Sequence, residues 1–293
     1  MTEPPAPYLY LLDLQVARIH ADEAAEFLSE TLDAPMAQLE RPGADRVWFQ
    51  LTFPTEVEAR LAEHLVKEHL PIQASQFRRN HPRDWAAFWK HHFVRRRIGR
   101  RIELCPDWDR EQDTPDPDLL RIYLNPGLSF GTGDHFTTRF CLEQLERACD
   151  RATPATFLDL GTGSGILAIA AARLGARRVV ALDYDETAIH HTRRNMELNH
   201  TPAIETGVAD VLLDPLPGPF DLVCANILSG PLIEAASAIA RTTASLLILS
   251  GIRELEADAV AATYSNQGLE EVARDGDGEW AGIVMRRTTS LAS

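Results

Sequence analysis

The sequence is poor in cysteine, and none of its cysteines is spaced like a metal ligand or a redox pair. It has four in 293 residues, at Cys105, Cys141, Cys149 and Cys224, and no Cys-x-x-Cys motif. Disulfide frameworks and zinc sites depend on paired or closely spaced cysteines. We therefore expect neither a disulfide nor a bound metal, and interpret the four as buried or free thiols.

Long apolar runs are also missing. The longest, near Ile166–Ala172 and Leu246–Leu249, fall well short of the roughly 20 residues that cross a bilayer. Residues Met1–Pro7 have neither the basic start nor the apolar stretch of a secretory signal. The sequence therefore predicts a cytoplasmic protein without a transmembrane helix.

Positive charge is in deficit, with 29 Lys and Arg against 43 Asp and Glu and a formal net charge of −14. Such a charge argues against a surface that binds nucleic acid throughout. The exception is Arg78–Arg101, which holds nine basic residues and one acid, Asp84. This segment is either a solvated helix face or an RNA-facing patch, so RNA contact stays open without being required.

The first part of the chain follows the element order of a small ferredoxin-like α+β domain. The predicted strand, helix, strand, strand, helix and strand are Tyr8–Val16, Ala21–Leu32, Met36–Glu40, Val47–Phe53, Glu56–His69 and Ile72–Phe77. Because no catalytic constellation is visible there, we interpret residues 1–77 as a substrate-recognition domain. Residues 78–118 are interpreted as a linker containing a helix and the strand Ile98–Leu104.

Residues 119–293 are predicted to form an α/β domain on a seven-stranded Rossmann-like sheet, because strands alternate with helices from about residue 137. The predicted strands are Thr156–Leu160, Arg178–Asp183, Ala203–Val208, Phe220–Asn226, Ser245–Ser250, Leu269–Arg274 and Trp280–Arg286. Only a short turn, Asp275–Gly278 and Glu279, separates the last two, which indicates a hairpin and an antiparallel strand. This ending is typical of the class I methyltransferase version of the fold.

A glycine-rich turn, Gly161-Thr162-Gly163-Ser164-Gly165, follows the first of these strands. Glycines let a backbone approach a ligand closely. A dinucleotide fingerprint needs glycine where Ile166 stands, which disfavours a nicotinamide dehydrogenase. S-adenosylmethionine, which has no pyrophosphate, fits the turn better. We expect Asp159 near its amino group, Asp183 at its ribose hydroxyls and Asp210 near its adenine.

The fourth strand ends at Asn226, where the chemistry of open α/β sheets takes place. Its side-chain oxygen is predicted to accept a hydrogen bond from an incoming amine, unless Asn226 merely caps the strand. Nucleobase and amide methyltransferases usually carry Asn-Pro-Pro-aromatic here. This chain has Ile227-Leu228 after Asn226, which favours an sp³ amine.

A polar, glycine-rich loop, Asn125–Thr138, precedes the sheet and is placed to close over the donor. It contains His135, which is interpreted either as a general base or as a residue that orders the loop.

Four motifs occur together: Phe130-Gly131-Thr132-Gly133-x-His135-x-Thr137-Thr138, Leu158–Ala170, Ala225–Leu228 and Leu249–Ile252. As a set they resemble the PrmA family, bacterial methyltransferases of large-subunit ribosomal protein eleven. The resemblance implies that the loop residues Phe130, Gly131, Thr132 and Thr138 surround donor and acceptor together with Gly161, Gly163, Asp183 and Asn226. It also implies that the N-terminal module docks the ribosomal protein and that the second domain trimethylates its α-amine and lysine ε-amines.

Two other functions stay open at this point. A member of the same family could methylate a different basic protein, because the donor and acceptor motifs would look the same. A non-enzymatic ribosome- or RNA-binding module could use Arg78–Arg101. It is disfavoured by the intact donor and acceptor residues Asp159, Gly161, Gly163, Asp183 and Asn226.

Overall fold

The computed structural model describes residues 9–32, 34, 36–40, 45–53, 55–80, 95–112, 114, 116–125 and 135–288. Contacts divide the chain into two units, Met1–His92 and Phe93–Ser293. Within the described ranges, no helix combines the length and the apolar character needed to cross a membrane.

The N-terminal unit has the predicted order of strands and helices. Its elements are β1 (Leu9–Ala17), α1 (Ala21–Thr31), β2 (Met36–Glu40), β3 (Arg46–Phe53), α2 (Glu56–His69) and β4 (Ile72–Asn80). The strands form a sheet in the order β2-β3-β1-β4, and all neighbours are antiparallel. This order confirms the ferredoxin-like fold, while the recognition role of residues 1–77 stays a prediction.

Local sequence explains where two of these elements lie. On β3, the alternating residues Val47, Phe49 and Leu51 are fully buried, as a strand with one covered face requires. Helix α2 begins after Thr55, whose hydroxyl accepts the Glu58 N–H while the Glu58 carboxylate accepts the Thr55 N–H. This reciprocal capping satisfies two N–H groups that a helix start leaves open.

The C-terminal unit opens with a small sheet of β5 (Arg96–Ile98), β6 (Ile102–Pro106) and β7 (Leu120–Leu124). The prediction of one strand over Ile98–Leu104 is wrong, because the chain turns back at Gly99 with φ +63°. Glu146, on the later helix α3 (Phe136–Arg151), accepts the N–H groups of Arg100 and Arg101 at 2.7 and 2.8 Å. The turn is thereby fastened to a buried carboxylate.

Replacing Glu146 with alanine should lower the free energy of unfolding by about 3 kcal/mol, because two backbone N–H groups lose their acceptor. Denaturant unfolding measures this. The matched control is Glu143→Ala, one turn earlier on α3, where the carboxylate is 36% exposed and lies 3.7 Å from Arg147. The control should change the free energy by less than about 0.5 kcal/mol. Equal effects of both variants would contradict the role assigned to Glu146.

Several arginines of the basic segment Arg78–Arg101 form ion pairs with acidic residues of the same chain. The Arg95 guanidinium lies 2.7 Å from Asp109, Arg101 lies 3.2 Å from Asp150, and Arg100 also pairs with Asp150. These arginines stand on or beside the β5–β6 hairpin, so the helix-face interpretation is wrong for them. Residues 81–94 lie outside the described residues, and RNA contact stays a prediction.

The second sheet has seven strands in the order β10-β9-β8-β11-β12-β14-β13. The strands are β8 (Thr156–Leu160), β9 (Arg178–Asp183), β10 (Glu205–Val208), β11 (Phe220–Asn226), β12 (Thr243–Arg253), β13 (Leu269–Gly276) and β14 (Trp280–Arg287). Pairing is parallel from β10 to β12 and antiparallel at β14 and β13. The seven-stranded Rossmann-like sheet with a terminal hairpin is therefore confirmed.

Five further helices accompany the sheet, namely α4 (Ile166–Arg173), α5 (Glu186–Leu198), α6 (Ser229–Glu234), α7 (Ala236–Thr242) and α8 (Ala257–Ser265). The apolar residues Leu158, Val223 and Leu249 share one core with α6, α7 and α8. Because side chains alternate along a strand, their neighbours Asp159, Cys224 and Ser250 lie on the opposite face.

Helix α3 packs on that opposite face, against β11, β12 and β14. A Cβ at Gly282 of β14 would lie 2.2 Å from the ring of Phe140 on α3, so the helix needs a glycine beneath it. The Cys141 thiol of α3 neighbours the Cys224 thiol of β11, and burial raises the pKa of Cys224 well above its usual range. This α3 face carries the polar residues described next.

Candidate functional site

Four polar residues lie in the carboxyl-terminal parts of four neighbouring strands, on the α3 face of the sheet. They are Asp183 on β9, Asp159 on β8, Asn226 on β11 and Ser250 on β12. Asp159 pairs with Cys224, two residues before Asn226, and Asn226 pairs with Ser250. Asp159 also pairs with Ala181, two residues before Asp183. The parallel sheet therefore sets the four side chains on adjacent strands near its carboxyl edge, with Asp159 set back by two residues; we call them the polar row.

The glycine-rich turn wraps the acidic end of this row. Gly161, Gly163 and Gly165 all have positive φ, at +71°, +55° and +80°, which glycine adopts without strain. The Asp183 carboxylate accepts the Gly163 N–H at 2.9 Å and the Asp185 N–H at 3.1 Å. Each of its oxygens keeps a further lone pair, so Asp183 can still accept hydroxyl groups from a ligand.

Asp159 is fully buried, and its two oxygens differ. Oδ2 accepts the Thr162 hydroxyl at 2.7 Å, whereas Oδ1 has no hydrogen-bond partner within the described part of the chain. Burial raises the pKa of Asp159 to about 7, while hydrogen bonding by the Thr162 hydroxyl and the Ala168 backbone lowers it and the charge of Asp183 raises it. A cationic ligand group could donate a hydrogen bond to Oδ1 and would favour the charged form of the Asp159 carboxylate.

Asn226 and Thr138 carry two more unsatisfied oxygens. The Asn226 Oδ1 and the Thr138 Oγ1 are buried and lack a partner among the residues that the structure describes. Such groups cost free energy unless something hydrogen-bonds them. Thr138 lies in the first turn of α3, the helix that packs on the same face of the sheet as the polar row.

A cavity of about 440 Å³ adjoins the glycine turn. Gly161 and Asp210 line it, together with Tyr184, Leu212 and Ile227. A Cβ at Gly161 would stand 2.3 Å from the Ile227 side chain, so only glycine fits between the turn and Ile227 without a shift. The Asp210 Oδ1 accepts the Leu212 N–H at 2.8 Å, which shapes the loop that borders the cavity.

His135 begins helix α3 as its N-cap. Its Nδ1 accepts the Thr137 N–H at 3.4 Å and lies 2.8 Å from the Thr137 hydroxyl. Its ring meets Trp280 edge-on at a centroid distance of 5.0 Å, and burial lowers its pKa. These contacts favour the interpretation of His135 as a residue that orders the chain here; a role as general base stays a prediction.

The structure brings together Asp159, Asp183 and Asn226 in the polar row, and Gly161 and Asp210 at one cavity. Phe130, Gly131 and Thr132 lie outside the described residues. Sequence reasoning missed Tyr184, which lines the cavity with 77% of its surface exposed. The available signal was an aromatic residue directly after a strand-ending carboxylate.

The polar row changes character along its length. Two carboxylates at one end can hold a cation and hydroxyl groups, whereas neutral oxygens follow at Asn226 and Ser250. A neutral oxygen can accept an N–H of an amine without the strong stabilisation that a carboxylate gives to an ammonium ion. The site therefore suits a ligand with a cationic part and an uncharged nucleophile beside it.

The chain is similar to a known protein family. A family model described as ribosomal protein L11 methyltransferase (PrmA) matches residues 26–288. A ribosomal protein L11 methyltransferase from Pelobacter propionicus is 41% identical over 247 residues, which cover 79% of this chain and 78% of the relative. One from Cellvibrio japonicus is 34% identical over 269 residues, covering 89% of each.

A solved structure is similar as well. The crystal structure of ribosomal protein L11 methylase from Lactobacillus delbrueckii subsp. bulgaricus superposes with a TM-score of 0.58 at 32% sequence identity. The match covers 66% of this chain and 99% of that one.

Proposed function

Since the chain belongs to the ribosomal protein L11 methyltransferase family, we propose that it transfers methyl groups from S-adenosylmethionine to amino groups of ribosomal protein L11. The observation that carries this proposal is the polar row, with its acidic and neutral ends on adjacent strands. We also propose that it acts in the cytoplasm, because its proposed substrate is a ribosomal protein.

The residues present fit the methyl donor. Asp159 offers its unsatisfied, buried Oδ1 to the donor's ammonium group, and Asp183 offers lone pairs to the ribose hydroxyls. The cavity at Gly161 and Asp210 accommodates the adenine, with the exposed ring of Tyr184 at its border. Gly163 keeps Asp183 in place through its N–H.

Asn226 holds the acceptor. When bound, S-adenosylmethionine supplies a methyl group whose carbon–sulfur bond breaks, its electron pair leaving on sulfur, as the amine lone pair forms the carbon–nitrogen bond. The amine must be neutral, which costs a lysine about 5 kcal/mol at pH 7. The Asn226 Oδ1 orients the nitrogen of the neutral amine for attack. The proton released goes to solvent.

The N-terminal unit would supply docking. Its ferredoxin-like fold carries no constellation that we assign to chemistry, so we assign residues 1–77 to recognition of the ribosomal protein, and residues 119–293 to donor binding and transfer. The amines expected to be trimethylated are the N-terminal α-amine and lysine ε-amines.

The proposal is tested by incubating hypomethylated ribosomes and free, unmethylated L11 with the protein and isotope-labelled S-adenosylmethionine, followed by mass spectrometry. Label on L11 in steps of one methyl group supports the function. Donor binding with label only on another basic protein would keep the methyltransferase and replace its substrate. Absence of any transfer would overturn the proposed activity.

Donor affinity should rise about tenfold per pH unit up to a pH of about 7 and then level off. Below that pH the Asp159 carboxyl of the free protein is protonated, and the donor's ammonium can bind only after the proton leaves. Calorimetric titration between about pH 5.5 and about pH 7.5, where an α-amino group is still largely charged, measures the slope. Asp159→Asn is the control, with weaker binding that does not follow pH. A flat profile in the unaltered protein would exclude Asp159 as the partner of the ammonium.

A further inference from the structure

The polar row extends one strand beyond the residue assigned to the acceptor. Ser250 ends this row on β12, directly beside its register partner Asn226. Its side chain is fully buried, and its Oγ has no hydrogen-bond partner in the part of the chain that the structure describes. Leaving a buried hydroxyl unpaired costs free energy that a ligand would recover.

The backbone fixes Ser250 and Asn226 as neighbours. Directly after Asn226 the chain passes over β12, so closely that a Cβ at Gly251 would stand 2.4 Å from the Ile227 carbonyl oxygen. Gly251 itself has φ +81°. A glycine in this conformation therefore allows the turn after β11 to rest on β12, directly beside the register pair of Asn226 and Ser250.

From this arrangement we infer that Ser250 is a second acceptor-binding residue, whose Oγ accepts an N–H of the incoming amine while Asn226 Oδ1 accepts another. The inference rests on the proposed function. Along the polar row the donor is assigned to Asp183 and Asp159, so Asn226 and Ser250 are the two positions left for the amine. Both are neutral oxygens, and both are unsatisfied.

The amine loses one N–H group with each methyl transfer, so the contribution of the two acceptor oxygens changes from one transfer to the next. A neutral primary amine attacks through its lone pair and keeps two N–H groups, which need two acceptors. The monomethylated amine keeps one N–H, and the dimethylated amine keeps none. Ser250 is therefore most important for the first methyl group and unimportant for the third.

The test is a time course with unmethylated L11 and S-adenosylmethionine in which intact-mass spectrometry resolves mono-, di- and trimethylated products. Ser250→Ala should slow the first transfer about tenfold and leave the third within about twofold of the unaltered protein. Ser250→Cys nearly keeps the side-chain volume but offers only a weak acceptor, so it should behave like Ser250→Ala. Thr243→Val removes another buried hydroxyl at the opposite end of β12 and should leave the ratio of the three rates unchanged.

Two results would overturn the inference. Equal slowing of all three transfers in Ser250→Ala would indicate a structural role. Recovery of the first transfer in Ser250→Cys would indicate that volume matters and hydrogen bonding does not. Neither result is confused with failure of the proposed function, which would appear as no label on L11 in the unaltered protein.

Discussion

Asn226→Ala should lower the rate of methyl transfer about hundredfold while changing donor affinity little, because the variant loses the oxygen that orients the amine. The Oδ1 of Asn226 is buried and unsatisfied within the described residues, and no carboxylate of the donor site replaces it. Single-turnover rates with saturating donor, together with calorimetric donor affinity, separate the two effects. Unchanged rates would remove Asn226 from the mechanism.

A second substitution at the same position sharpens the result. Asn226→Asp keeps an oxygen where Oδ1 lies but adds a charge that favours the ammonium form of the acceptor. We expect slow transfer near neutral pH and a recovery as the pH rises toward the amine pKa. Deprotonation of the amine speeds Asn226→Ala and the unaltered protein alike, so the deficit of Asn226→Ala should stay constant with pH while that of Asn226→Asp shrinks. The two ratios to the unaltered protein therefore distinguish loss of orientation from a shift in amine protonation.

Gly251→Ala should reduce the free energy of unfolding by about 4 kcal/mol and the transfer rate about hundredfold. The new methyl group would lie 2.4 Å from the carbonyl oxygen and 2.8 Å from the carbonyl carbon of Ile227, and a backbone cannot move aside as a flexible side chain can. The expected displacement of Ile227 carries Asn226 with it. Thermal or denaturant unfolding and single-turnover rates measure both consequences.

Gly278→Ala is the matched control for this substitution. Gly278 also has a positive φ, +93°, but a Cβ there meets no described atom within 4 Å. It should therefore cost only the backbone strain, about 1 kcal/mol, and leave transfer unchanged. If both glycine variants lose the same stability, the close approach to Ile227 contributes nothing, and the positive φ alone accounts for the glycine at position 251.

Much of the fold was predictable because local patterns and long-range pairing agree. The bounds of β2, α2, β8, β9 and β11 match the predicted segments. Strands β8, β9 and β11 are short, mainly apolar runs, and α2 begins at its capping residue Thr55. The segment Ile98–Leu104 was mispredicted because its apolar residues hide the turn at Gly99. Strand β7, which pairs with β6, was missed although Leu120, Ile122 and Leu124 alternate as on a strand.

The residues of the candidate site could be predicted where they lie at or near the end of an apolar strand. Asp159, Asp183 and Asn226 follow apolar strands, and their approach follows from the parallel sheet. The sequence does not tell which oxygens lack partners, because that depends on the packing of α3 over the sheet. Ser250 therefore looked like part of a motif without a role, and Tyr184 like an ordinary loop residue.

The order of the strands places the donor-binding and the acceptor-binding residues of the polar row in different parts of the sequence. If β9 and β8 serve the methyl donor and β11 and β12 serve the nucleophile, the two halves of the reaction are encoded in separate stretches of the chain. We expect that exchanging residues 226–229 and 250–252 between such proteins would transfer the preference for an acceptor, while the donor-binding residues on β8 and β9 stay unchanged.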